Sequence, residues 1–286
     1  MVYLSGFRFP SEDQEWNFAM SVRRKCYNTF YPFQVLSAHH VTSLTFEHIT
    51  ILYGGNGCGK TTALNVIAEK LGVRRDTLYN RSSFFEDYTA ICEPELRETK
   101  PEEIRIITSD DVFDFMLNLR AANQGVDNRR EELFMEWVNN RYEKFQLRSM
   151  DDYEHLKQVN MARRTTQSMY TKKNLAGNVR EHSNGESAFL YFSDKIKDNG
   201  LYLLDEPENS LSPEKQQELV KFLEESVRFF GCQIIMATHS PFLLSMRGAK
   251  VYDMDGEETQ VRRWTELKNV RAYYDFFKRH EGEFED

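Results

Sequence analysis

The stretch from Ile49 to Ile67 limits the fold more than any other. It reads Ile-Thr-Ile-Leu-Tyr-Gly-Gly-Asn-Gly-Cys-Gly-Lys-Thr-Thr-Ala-Leu-Asn-Val-Ile. An apolar run of strand length enters a glycine-rich turn, and past Lys60 the apolar residues Ala63, Leu64 and Ile67 return at helical spacing. The turn holds G-x-x-x-x-G-K-[ST] in full, which predicts strand, phosphate loop, helix. Gly54, Gly57 and Gly59 let the backbone turn tightly enough for successive N–H groups to face one hollow. The positive end of the following helix adds to the field in that hollow. Gly55, Asn56 and Cys58 occupy the remaining loop positions, and Thr62 follows in the first helical turn. Lys60 can reach the β- and γ-phosphates of a nucleotide, and the Thr61 hydroxyl can hold Mg²⁺. The loop alone does not choose among phosphate-handling enzymes.

The rest of the composition narrows the setting. A net charge of −8 over 286 residues excludes a nucleic-acid polycation but not a local basic face. Cys26, Cys58, Cys92 and Cys232 lie far apart with no C-x-x-C pair, against a zinc site or disulfide framework and in favour of a reducing compartment. No apolar run approaches the roughly 18 residues of a membrane span, and the N-terminus lacks a signal-peptide pattern. A cytoplasmic protein with no membrane contact is the expectation.

Residues 1–48 alternate in short pieces, Val2-Tyr3-Leu4, Gln34-Val35-Leu36 and Leu44-Thr45-Phe46, which read as strands beside the one that feeds the loop. Within them, Tyr31-Pro32-Phe33 offers an aromatic that can stack on adenine or lie in the core. Residues 74–100 read as irregular. Ile104 to Thr108 reads as a strand, with Ser109-Asp110-Asp111 at its end. Those carboxylates either face a ligand crevice or cap the helix that begins at Val112. Helical stripes then run through residues 112–182. Between Leu156 and Arg180 stand six basic residues and no acidic one: Lys157, Arg163, Arg164, Lys172, Lys173 and Arg180. They form either a surface for the phosphate backbone of DNA or RNA, or a solvated helix face. At His182-Ser183-Asn184-Gly185-Glu186-Ser187, Ser183 and Glu186 have the spacing of a capping box, and a capped helix start is also an anion site.

The second informative stretch is Gly200-Leu-Tyr-Leu-Leu-Asp205-Glu206-Pro207-Glu208. Four apolar residues predict a buried strand with two carboxylates at its end. Asp205 is placed to hold Mg²⁺ and Glu206 to polarise the attacking water. A helix over 214–227 follows. A further buried strand from Cys232 to Thr238 ends at His239, which can donate to a γ-phosphate or the attacking water. Val251 to Met254 reads as a last strand, and the acidic, aromatic segment from Trp264 to Phe284 as a helix closing over the sheet. His39, His40, His155 and His182 lack metal-ligand company and read as structural.

With these stretches in order, the chain resembles the ABC-type ATPase superfamily, on the soluble branch of Rad50, SMC and RecF heads and small bacterial ATPases without a transporter domain. The marks are Gly-Gly-Asn-Gly-Cys-Gly-Lys-Thr-Thr, Ser-Asn-Gly-Glu-Ser, Leu-Leu-Asp-Glu-Pro-Glu-Asn-Ser-Leu-Ser and Ala-Thr-His-Ser-Pro. The resemblance implies an α/β P-loop NTPase of ABC-head type, with a mixed sheet, N-terminal antiparallel strands and an inserted helical lobe. Residues 1–111 would carry the Walker A loop and 112–192 the lobe and signature. Residues 193–286 would carry Walker B, the D-loop and the switch histidine. It further implies ATP and Mg²⁺ as cofactors, Glu206 as general base with Lys60 and His239 as catalytic partners, and Thr61 and Asp205 as metal ligands. Ser183, Asn184, Gly185 and Glu186 would close on ATP held by a second copy, making an ATP-gated homodimer. The Ser-Asn-Gly-Glu-Ser signature departs from the transporter form. No glutamine stands at the usual Q-loop place, and Asp110 or Asp111 is the substitute that would couple Mg²⁺ to the helical lobe. Nucleic acid or an effector protein is the expected partner. The alternatives are a low-turnover scaffold subunit and, least favoured, a transporter ATPase.

Overall fold

The computed structural model describes residues 1–22, 27, 29–143, 153–175, 184–209, 211–256 and 258–284. The strands are β1 (Leu4–Arg8), β2 (Ser43–Thr45), β3 (Ile49–Tyr53), β4 (Glu93–Leu96), β5 (Glu103–Thr108), β6 (Gly200–Asp205), β7 (Gln233–Ala237), β8 (Lys250–Asp253) and β9 (Gln260–Val261). The helices are α1 (Glu12–Ser21), α2 (Lys60–Leu71), α3 (Phe85–Ile91), α4 (Ser109–Tyr142), α5 (Tyr153–Arg164), α6 (Gln167–Asn174), α7 (Asn184–Lys195), α8 (Pro213–Phe229), α9 (Pro241–Leu244) and α10 (Lys268–Arg279). They group into two compact units, residues 1–113 with 184–286, and residues 114–183.

The first unit is built on a six-stranded sheet of order β5-β6-β7-β3-β8-β9. Its strands run parallel except the antiparallel edge β9. Every residue of β3, β6 and β7 is buried, as continuous apolar runs in a parallel sheet require. A separate antiparallel sheet of order β2-β1-β4 carries the N-terminal strands. Gln233 joins the two sheets: its buried amide accepts from Tyr3 N and Leu4 N at 2.8 and 2.9 Å and donates to Leu4 O at 2.8 Å. The mixed α/β architecture with N-terminal antiparallel strands is the one expected.

Four local expectations need correction. Gln34-Val35-Leu36 is a turn, not a strand, because buried Glu15 on α1 captures it: its carboxylate accepts from Gln34 N at 2.6 Å and Ser37 Oγ at 2.7 Å. The N-terminal strands share a core with Leu52 of the strand that feeds the loop but stand in a different sheet, where β1 pairs with both β2 and β4. Residues 74–100, expected irregular, hold α3 and β4. The segment from Trp264 to Phe284 carries four acidic and four basic residues and is not acidic. Within it α10 is pinned at its start by Asn269 N donating to Tyr53 Oη at 3.1 Å, and Val270 is its buried residue. Tyr273, Tyr274, Phe276 and Phe277 stay about half exposed, so the helix does not close over the sheet.

The 34-residue helix α4 starts in the first unit and from Asp114 onward belongs to the second. Leu133, Ala162 and Tyr170 form a small buried cluster with Trp137, Met161 and Leu175 packed around it. Trp137 Nε1 donates to Thr165 O at 3.2 Å, and Arg141 lies over the Trp137 ring. Lys157, Arg163, Arg164, Lys172 and Lys173 stand on the exposed faces of α5 and α6. Arg180 falls outside the described residues.

Candidate functional site

β3 ends at Tyr53, the chain turns through residues 54–59, and α2 begins at Lys60. Gly59, at φ +92°, is the N-cap, and a Cβ there would come within 2.8 Å of Leu36 Cδ2. Only glycine fits both the dihedral and the space. No side chain caps α2, so its first N–H groups are left for an anion. The captured 34–36 turn explains why Leu36 and Val35 are there at all. A hollow of about 260 Å³ results, lined by Val35, Asn56, Gly57, Gly59, Lys60, Thr61, Thr62 and Glu206. Lys60 is buried, with Nζ donating to Gly54 O at 2.5 Å and Gly55 O at 3.0 Å and lying 3.7 Å from Cys58 Sγ.

Parallel register carries β6 and β7 to the same edge, with Asp205 beside Thr108 and Ala237. Asp205 is buried, and Thr61 Oγ1 donates to its Oδ1 at 3.0 Å. Burial pushes the Asp205 carboxyl up to about 6, with the Thr61 hydrogen bond opposing and neighbouring Glu206 adding to the rise. A desolvated carboxylate beside a hydroxyl, at the mouth of an anion hollow, suits a hard divalent cation.

Glu206 adopts φ +48°, a left-handed conformation unfavourable for a residue with Cβ. Its N–H is held by Ala237 O at 2.9 Å, and Asn209 Nδ2 donates to Oε2 at 2.9 Å. The other oxygen, Oε1, lies 3.9 Å from His239 Nε2. That imidazole nitrogen is buried with no hydrogen-bond partner among the described residues. An orphan ring nitrogen and a carboxylate beside a phosphate hollow can together hold and deprotonate a water.

A family model described as ABC transporter matches residues 41–209, more than half the chain. The chain belongs to the ABC-type ATPase family. It binds and hydrolyses ATP. A second model, described as an AAA domain with the AbiEii toxin and Type IV TA system in its description, matches residues 178–245 of this ATPase. No curated protein matches in sequence. Among solved structures, the chain is similar to an inward-facing metal-chelate type ABC transporter, at 16% identity over 82% of this chain and 80% of that one, with TM-score 0.37. It is also similar to the Pyrococcus furiosus Smc head domain bound to the C-terminal domain of ScpA, at 12% identity over 83% and 95%, TM-score 0.39. A dimeric ATP-binding cassette bound to ADP and Pi matches at 14% identity over 78% and 88%, TM-score 0.38. No described helix of the ATPase is long and apolar enough to cross a membrane.

The remaining candidate residues separate into three groups. Asp110 is exposed in the first turn of α4, whereas Asp111 is buried and accepts from Thr108 N at 2.6 Å and Thr108 Oγ1 at 2.9 Å. This is the geometry of a helix cap. Phe33 stacks on Phe18 at 4.4 Å inside the core, while Tyr31 Oη lies 3.2 Å from Thr62 Oγ1. Asn184, Gly185 and Glu186 open α7, and Ser183 falls outside the described residues. Two residues that sequence reasoning passed over support the edge. Glu208 Oε1 accepts from His239 N at 2.6 Å and Ser240 N at 3.1 Å, which fixes the histidine loop. Asp255, after β8, accepts from Gly55 N in the phosphate loop. Both act on backbone N–H groups 31 and 200 positions away, so no local pattern marks them.

Proposed function

We propose that this ATPase is a switch that closes head to tail as a dimer around Mg-ATP, opens on hydrolysis, and acts on nucleic acid or a partner protein. One observation carries the reading: Lys60, Thr61 and Glu206 line one hollow, and Gly185 and Glu186 are not among its lining residues. Glu186 instead lies within electrostatic range of Lys215 on α8. The signature would therefore serve the nucleotide of a second copy, in a two-fold exchange.

In this account Lys60 leaves the carbonyls of Gly54 and Gly55 to neutralise phosphate oxygens. Thr61 and Asp205 would hold Mg²⁺, which when bound offsets charge on the β- and γ-phosphates. Glu206 takes the proton of the attacking water, with Asn209 keeping its carboxylate oriented. His239 donates its free ring N–H toward the γ-phosphate, and Glu208 keeps the histidine backbone in place. Sedimentation velocity of the Glu206→Gln protein, with and without ATP and Mg²⁺, tests the reading. The expected result is a monomer that becomes a dimer only with nucleotide. A sedimentation coefficient indifferent to ATP contradicts the switch.

A further inference from the structure

A second cleft lies at the other end of β8 from the phosphate loop. β8 meets Tyr53 through Asp253 at its last residue, whereas this cleft, of about 620 Å³, is lined by residues 244–249 before β8, by Val251 near its start, and by residues 261–265 from the end of β9 onward. Arg247, Arg262 and Arg263 line it, and no lining residue is acidic. In a chain of net charge −8 this is a concentrated positive surface. Arg262 Nε pairs with Asp253 Oδ2 at 3.4 Å while its side chain stays 44% exposed, so Arg247 and Arg263 carry most of the cleft's uncompensated charge.

Trp264, 37% exposed, also lines this cleft and lines the neighbouring cleft of about 810 Å³, where Tyr274 and Phe277 share the lining with Glu206, Glu208 and His239 of the catalytic edge. Tyr274 and Phe277 are 52% and 53% exposed, far more than core aromatics. Cationic forks thus give way, across one indole, to exposed aromatic rings, of which Tyr274 has Arg271 and Lys278 over its ring. Guanidinium groups that bind phosphate oxygens beside rings that stack on bases are the two elements of single-strand recognition. A carboxylate-bearing protein would match the arginines and leave the rings unexplained. An apolar helix would match the rings and leave the arginines without partners.

We infer that this surface binds single-stranded nucleic acid, with phosphodiesters on Arg247, Arg262 and Arg263 and bases stacked on Trp264, Tyr274 and Phe277. The inference rests on the nucleic-acid partner proposed above and names its class and its place, beside Glu206 and His239. It also moves the nucleic-acid contact away from the basic faces of α5 and α6.

The test is fluorescence anisotropy of a labelled oligothymidylate of about 20 nucleotides with the full chain across a salt series. Wild type is expected to bind, with affinity falling steeply with salt. Arg247→Gln with Arg263→Gln, both at exposed positions, should weaken binding at least tenfold and reduce the log–log salt slope by about 1.4. Trp264→Ala should weaken binding by about tenfold and leave that slope unchanged. Three results would overturn the assignment: no binding by wild type at about 50 mM salt, equal competition by polyglutamate, or loss of binding with Lys172→Glu and Lys173→Glu while the arginine variant binds normally. Sedimentation of the Glu206→Gln protein with ATP, run alongside, separates failure of this site from failure of the dimer.

Discussion

Every residue of β3, β6 and β7 is buried, and the catalytic edge stands at the ends of those strands. The second unit has a different economy of burial. Its three-residue cluster of Leu133, Ala162 and Tyr170 supports a helix 34 residues long. A frame that must hold a desolvated carboxylate, an orphan imidazole nitrogen and a left-handed Glu206 has to be over-determined by packing. With few buried apolar residues among those described, this unit has low local stability, and elements that move in switches come from that end of the range.

The largest effect expected is on packing. Leu203→Ala, in fully buried β6, should cost about 2–5 kcal/mol in chemical denaturation. Leu133→Ala should cost less and should accelerate hydrogen exchange in α4, α5 and α6 while leaving β3 and β6 protected. Equal losses, with exchange rising in both units, would mean that they unfold together and the contrast is void.

Asp205 sharpens the comparison from the electrostatic side. Its carboxyl titrates near 6 in the folded chain against 3.8 for the ordinary group, so the folded state keeps its proton to higher pH than the unfolded state does. Stability is therefore unaffected below about pH 4, falls as pH rises toward 6, and stays lower above it by about 3 kcal/mol. In the presence of a chelator, Asp205→Asn should raise the melting temperature at pH 7.5 and leave it unchanged at pH 4. No gain at pH 7.5 would show that the site does not strain the fold. The smallest effect belongs to Glu208→Gln, which weakens the hold on His239 N and Ser240 N. ATP turnover should fall about tenfold with little change in ATP affinity.

The strands of the catalytic edge were legible because buried parallel strands leave continuous apolar runs, as in Leu201 to Leu204 and Ile234 to Ala237. The loop was legible because few residue types fit its backbone. Apart from the charge balance of residues 264–284, which the sequence itself shows, the misreadings come from surroundings that a local pattern does not record. Gln34 to Leu36 has strand-like alternation, but a buried glutamate from α1 captures its backbone. β4 was hidden by Glu93-Pro94-Glu95, acceptable only because it is an edge strand. The helical period of α10 is real, yet periodicity does not say whether a face meets the core, and most of its aromatic face stays outside. Asp111 shows the limit of reading carboxylates at strand ends, since a helix cap and a ligand crevice ask for the same residue at the same place.

The most direct measurement is single-turnover ATP hydrolysis by wild type and Glu206→Gln at matched nucleotide occupancy. The substitution keeps the side chain's size and its contact with Asn209 but removes the base. The account predicts ATP affinity close to wild type and a hydrolysis rate at least 100-fold lower. A rate within about tenfold of wild type would place the general base elsewhere and contradict the roles assigned to Glu206 and His239.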